Sequence, residues 1–233
     1  MRRILTFVIL ITSLGLLAGC QDSTEQPAAP AAGNAESKLT RAETAMLEEA
    51  AKGNTAAVKG WLDKGVNVNM RGNDQNTPIM EAAFAGHVET VKVLLDHGAD
   101  LSAKKKDGET VLTLGGGHRP VVDLFKNVSA LVAAAGKGDN KAVKDLVDKG
   151  TPVNGLDPNG QSALTEAAWN GRTETVKLLL EKGADPNIKK TDGQTPVNLA
   201  TAQKHPEIVT LLNAAIAKRS AATPAGTPAG TPK

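Results

Sequence analysis

Apolar residues recur at helical spacing in two clear places. Val91, Leu94 and Leu95 fall on one helix face, and Val176, Leu179 and Leu180 fall on another. Positions three and four apart share a face, so each stripe has to be buried. A shorter, alanine-rich helix is predicted before each of these. The longer helices close at Gly65, Gly98, Gly150 and Gly183, where glycine suits the left-handed conformation that ends a helix. Thr77-Pro78 and Thr195-Pro196 open the shorter helix of their units, with Thr as N-cap and Pro in the first turn.

The pattern repeats. Gly53 and Gly86, Gly65 and Gly98, Gly138 and Gly171, and Gly150 and Gly183 are each 33 residues apart, a period typical of stacked helical units. A longer repeat lies above it. A shift of 85 places Glu166-Ala167-Ala168-Trp169 on Glu81-Ala82-Ala83-Phe84, Gly183-Ala184-Asp185 on Gly98-Ala99-Asp100, and Asp192-Gly193-Gln194-Thr195 on Asp107-Gly108-Glu109-Thr110 without a gap. The chain therefore reads as a duplicated block of two complete units plus a shortened third. In that third unit the apolar stretch Val121-Val122, Leu124-Phe125 passes straight into a helix expected near Ser129, with no closing Gly-Ala-Asp and no projecting loop between. Either one continuous stack lacks a loop there, or two short stacks meet at an angle.

The unit Asn76 to His87, followed by Val91, Leu94, Leu95 and Gly98-Ala99-Asp100, resembles the ankyrin repeat nearly position for position, and the unit from Gly160 to Asp185 follows it closely. The unit from Gln194 has the Thr-Pro opening but not the Gly-His pair. The first unit lacks Thr-Pro and carries Glu48 and Glu49, as suits a polar end cap. The resemblance covers about residues 39–218. It implies an all-α ankyrin-repeat solenoid of stacked helix pairs with projecting loops. The units are expected at about 42–74, 75–107, 108–128 (shortened), 129–159, 160–192 and 193–218.

The chain ends read differently. Arg2 and Arg3 precede an apolar run from Ile4 to Leu17, too short to span a bilayer and proportioned like a signal-peptide core. The run closes on Leu17-Ala18-Gly19-Cys20, which resembles a bacterial lipobox, with residues 1–19 as signal peptide and Cys20 as the lipidated residue. Cys20 is the only cysteine, which excludes a disulfide framework. Several acyl chains hold a protein firmly, at about 0.8 kcal/mol per buried CH₂. Residues 20–38 are poor in large apolar side chains and are expected to form a flexible tether. Residues 219–233 run into Thr-Pro-Ala-Gly repeats and are expected to be a disordered tail. By resemblance the lipid lies in the bacterial envelope facing the periplasm. The outer membrane is favoured over the inner because Gln21, not Asp, follows the cysteine.

Charge narrows the partners. The chain has 27 Lys+Arg against 25 Asp+Glu. Loss of Arg2 and Arg3 with the signal peptide leaves the mature chain formally neutral, without the basic excess of a nucleic-acid binder. Solenoids bind proteins on their concave face. In the ankyrin family that face comprises the loop tips and the exposed side of the first helices. Carried onto this chain, it points to Phe84 and Ala85 in one unit and Trp169 and Asn170 in the other. Phe84 and Trp169 fall on one position under the 85-residue shift in a chain only 2% aromatic, and large aromatics are favoured interface anchors. The other reading of these rings is packing against a neighbouring repeat. Lys104, Lys105 and Lys106 make one tip basic and Lys189 and Lys190 another, suited to an acidic protein surface or lipid head groups, or else simply to a solvated tip.

Catalysis has little to build on. His87, His97, His118 and His205 include no i, i+4 pair and no His-Glu-x-x-His, so no metal site and no cofactor is expected. Gly115-Gly116-Gly117-His118 lacks the Walker spacing, and no Gly-x-Ser-x-Gly occurs elsewhere. These glycines read as degenerate helix. A hydrolase using His118 is the enzyme alternative, but it lacks an activated nucleophile with base and orienter. The favoured reading is a monomeric, lipid-anchored scaffold for one protein partner. By resemblance to bacterial ankyrin lipoproteins, that partner is either a phospholipase toxin to be neutralised or an antioxidant enzyme such as catalase to be supported. A third reading is an envelope organiser with many weak interactors.

Overall fold

The computed structural model describes residues 40–222. The lipobox and tether, Cys20 included, and the tail beyond 222 lie outside the described residues. Eleven α-helices occur in the described part, with isolated β-bridges and no strand. They pair as α1 (Arg41–Ala51) with α2 (Thr55–Asp63), α3 (Pro78–Phe84) with α4 (Val88–Asp96), α8 (Ala163–Trp169) with α9 (Thr173–Glu181), and α10 (Pro196–Ala202) with α11 (Pro206–Ala222). Between them lie α5 (Val111–Leu114), a 3-10 turn over Gly115–Gly117, α6 (Arg119–Lys137) and α7 (Asn140–Asp148).

Two layers result. First helices stack on first helices, as α3 does on α1 and α5, and α8 on α6 and α10. Second helices stack likewise, α4 on α2 and α9 on α7 and α11. The small Ala82, Ala83, Ala167 and Ala168, all buried, let neighbouring first helices approach closely. The apolar stripes expected at Val91, Leu94 and Leu95 and at Val176 and Leu179 are buried as the spacing requires, while Leu180 is only partly so.

Helix α6 resolves the shortened unit. It runs unbroken for 19 residues across the expected boundary at 128/129. Val121, Leu124, Phe125 and Val128 enter a first apolar core. Leu131, Ala134 and Ala135 enter a second. The helix packs on α4, a second helix, and on α8, a first helix. The second helix of unit three and the first helix of unit four are therefore one rod, and the loop between them is absent because no chain is left to form it. The stack is joined through a shared helix rather than ended and restarted.

The last helix also exceeds its expected length, reaching Ala222 instead of stopping at 218. Ala-rich sequence favours helix there, and the Arg219 guanidinium lies 3.5 Å from Asp185.

Candidate protein-binding face

At Gly86, Gly171 and Lys204 the first helix turns into the second over a residue in the left-handed conformation, and there, as at His118, the side chain that follows ties the turn to the preceding repeat. His87 Nε2 donates to the Ala51 carbonyl (3.0 Å), His118 Nε2 to Phe84 (2.9 Å), Arg172 Nε to Gly136 (3.0 Å) and His205 Nε2 to Trp169 (3.3 Å). Three of the four histidines thus serve one backbone ladder. The missing Gly-His pair of the last unit is replaced: Lys204 takes the left-handed conformation at φ 60°, and His205 bonds as its counterparts do. His97 bonds its own helix, Nδ1 to the Val93 carbonyl at 2.8 Å. Among the described residues no cluster of three His, Cys, Asp or Glu side chains stands ready for a metal.

The ladder holds the ends of the first helices, and those ends carry the expected anchors. Phe84 is the last residue of α3 and is 66% exposed. Trp169 is the last of α8 and is 43% exposed. Ala82, Ala83, Ala167 and Ala168 point to the core, so positions 81, 84 and 85, and likewise 166, 169 and 170, turn outward. Ala85 and Asn170 are exposed. The Asn170 amide donates to the carbonyl and to Oε1 of Glu166, both at 2.9 Å. Glu81, at the matching place, accepts from the Asn76 amide at 2.6 Å. Neither glutamate stood out in the sequence as a site residue. The signal was there in the register that lays Glu166 on Glu81.

The projecting loops are short hairpin-like turns. Lys105 N bonds to Glu109 O, Asp157 N to Gln161 O and Lys190 N to Gln194 O. Asp107, Asp157 and Asp192 brace them by accepting backbone N–H groups within the turn. The Glu109 N–H holds the Asp107 carboxyl below its ordinary range, and the Gln194 N–H does the same for Asp192. Asn69 Oδ1 accepts from Asp100 N, and Asn154 Oδ1 from Asp185 N, each at 2.8 Å, joining one loop base to the next.

The lysine tips are less basic than the sequence suggests. Lys105 is half-buried and pairs with Glu109 (3.0 Å) and Asp107 (3.3 Å), which raise its pKa. Lys190 is half-buried and pairs with Asp192 at 3.2 Å. Lys104, Lys106 and Lys189 are exposed. Two of the five lysines are thus committed inside their own turns, a neutralisation set by turn geometry.

A cavity of about 340 Å³ opens beside Trp169, between α8, α10 and the loops that precede them. A third large apolar side chain, Leu112, is 40% exposed at the start of α5, whereas its counterparts Ile79 and Leu164 are buried.

With this architecture in view, the chain matches the family model described as Ankyrin repeats (3 copies), over residues 45–130, 110–190 and 131–220. The chain belongs to the ankyrin-repeat family. Its fold is that of a protein–protein interaction scaffold, a family that is typically non-enzymatic. The comparison with curated proteins gives no match.

Proposed function

We propose that this protein is a lipid-anchored scaffold of the bacterial envelope, facing the periplasm, that holds one protein partner as a monomer. The partner lies on the face made by the ends of the first helices and the loop tips. The observation that carries this reading is the exposure of Phe84 and Trp169 at one repeated position, each pinned by its carbonyl to the histidine of the next unit. The main chain that carries each ring is thereby fixed, which limits the freedom lost on binding and favours the position as an anchor. The lysines at 104, 106 and 189 orient the partner, with 105 and 190 shaping the loops. Anchoring rests on Cys20 and the Leu17-Ala18-Gly19 before it, and Gln21 favours the outer membrane.

The test is affinity capture from detergent-solubilised envelope, wild type beside a Phe84→Ala/Trp169→Ala variant. A single stoichiometric protein lost in the variant supports the scaffold. Truncating each anchor is expected to weaken binding by about 2 kcal/mol, roughly thirtyfold. The same protein retained in both would exclude this face. The captured partner, a phospholipase or an antioxidant enzyme, decides the biological role. Loss of palmitate labelling in Cys20→Ala checks the anchor.

A further inference from the structure

Glu166 and Trp169 lie three residues apart on α8 and line the same cavity. Its walls also include Gln161, Gln194 and Leu199, with Lys190 as the one cation among the described residues that line it. Lys190 is engaged by Asp192 at 3.2 Å. The Asn170 amide fixes the Glu166 carboxylate without neutralising it, and among the described residues no Lys or Arg pairs with Glu166. The site therefore offers an exposed indole, a held but uncompensated carboxylate and amide oxygens at the rim. Glu81 and Phe84 repeat the arrangement in the other half: the Asn76 amide holds the carboxylate, no Lys or Arg pairs with it among the described residues, and the ring is exposed three residues on. Trp61 shows the complement within this same molecule, with Lys64 Nζ 4.6 Å from its ring centre.

An aromatic face attracts a cation, and more strongly once the cation is partly desolvated. A carboxylate beside the ring adds charge-assisted hydrogen bonds, which a planar guanidinium can meet while stacking on the indole. We propose that the Glu166–Trp169 and Glu81–Phe84 pairs are two receptors for arginine side chains of the protein partner. This rests on the reading of the first-helix face as the binding face, and it gives the partner's chemistry: two basic points to match the duplicated acid–aromatic pairs.

The experiment uses the full mature lipoprotein in detergent with ¹⁵N-labelled tryptophan. The chain has two tryptophans, so Trp61 serves as internal control. The probes are N-acetyl-arginine amide, its neutral analogue N-acetyl-citrulline amide, and tetramethylammonium. The Trp169 indole signal is expected to shift saturably with the arginine probe and not with citrulline. Glu166→Gln, whose amide oxygen still accepts from Asn170, is expected to weaken that binding about three- to fivefold. An equal response to citrulline, or no change in Glu166→Gln, overturns the proposal. Tetramethylammonium binding as tightly as arginine overturns it too, in favour of a small quaternary-ammonium or choline head-group site. Capture of the partner separates this inference from the broader one. Partner lost with Phe84→Ala/Trp169→Ala but kept in full with Glu81→Gln/Glu166→Gln leaves the binding face standing and removes the arginine receptors. Partner kept in both removes both.

Discussion

In three units the helix-opening residue and the ladder side chain are ten residues apart: Thr77 to His87, Ser162 to Arg172, Thr195 to His205. In the unit that ends the N-terminal half, Thr110 and His118 are eight apart. The two missing residues shorten the first helix to Val111–Leu114, against Pro196–Ala202 in the C-terminal half. They also remove the left-handed residue before the histidine. The glycine run compensates. Gly115–Gly117 continue as a 3-10 turn, and a Cβ on Gly115 would come 3.1 Å from Val121 and 3.3 Å from Phe125. His118 still reaches the Phe84 carbonyl. Beyond this point the two halves match with a shift of 87, not 85, so the gapless register holds only as far as the start of α5. The lesson is that the ladder bond is kept while helix length gives way. Leu112, left exposed at that place, marks where the next loop is absent.

The largest expected effect tests the shared rod. Ser129→Pro removes one α6 hydrogen bond and clashes with the Phe125 carbonyl, at a cost of about 3 kcal/mol or more. Denaturation followed by probes in each half should then separate into two transitions, where a single one is expected of the wild type. A single unchanged transition would mean that the halves do not depend on α6 for their coupling.

Helix caps sharpen the comparison further. Ser162 and Thr165 form a reciprocal capping box, whereas Thr77 faces Met80 and its buried hydroxyl has no partner. Ser162→Ala should cost about 1 kcal/mol. Thr77→Val should be neutral or stabilising, since it removes an unsatisfied buried group. Equal losses in urea melts would refute the difference. Next in size, Gly116→Ala, where an added Cβ meets nothing, should stabilise by about 0.5 kcal/mol or more by restricting the unfolded chain, seen as a higher urea midpoint.

The smallest effect is electrostatic. Desolvation raises the Asp96 pKa, partly offset by His97 and the Val153 N–H. The folded chain thus holds the Asp96 proton more tightly than the unfolded chain does, so this residue disfavours folding above its raised pKa and the penalty fades as pH falls through the carboxylate range. Asp96→Asn should be slightly more stable at neutral pH, with the gain shrinking on acidification. Asp107, Asp148 and Asp192 act in the opposite sense. Their lowered pKa values contribute stability above the ordinary carboxylate pKa that is lost on acidification through their lowered values.

Much of the face was legible because it rides on the helical period. Phe84 and Trp169 share a register position, and Ala82-Ala83 and Ala167-Ala168 had to point inward for neighbours to pack. The role of the lysines was not legible, since pairing of Lys105 and Lys190 depends on how each turn folds back. His118 and His205 were similarly hidden. Their ladder role needs a carbonyl 34 or 36 residues away, and neither follows a lone glycine as His87 does.

The sequence by itself determined the ankyrin helix pairs, the duplicated block and the shared register position of the two aromatics, whose exposure the tertiary structure decided. Local spacing dictates which faces of a helix are apolar and so must be covered. Only the tertiary structure decided that α6 serves both cores, that Leu112 is uncovered, and that among the described residues no Lys or Arg pairs with Glu81 or Glu166 beside the rings. Those outcomes depend on which distant groups meet in space, and a one-dimensional pattern carries charge and polarity without saying what neutralises them.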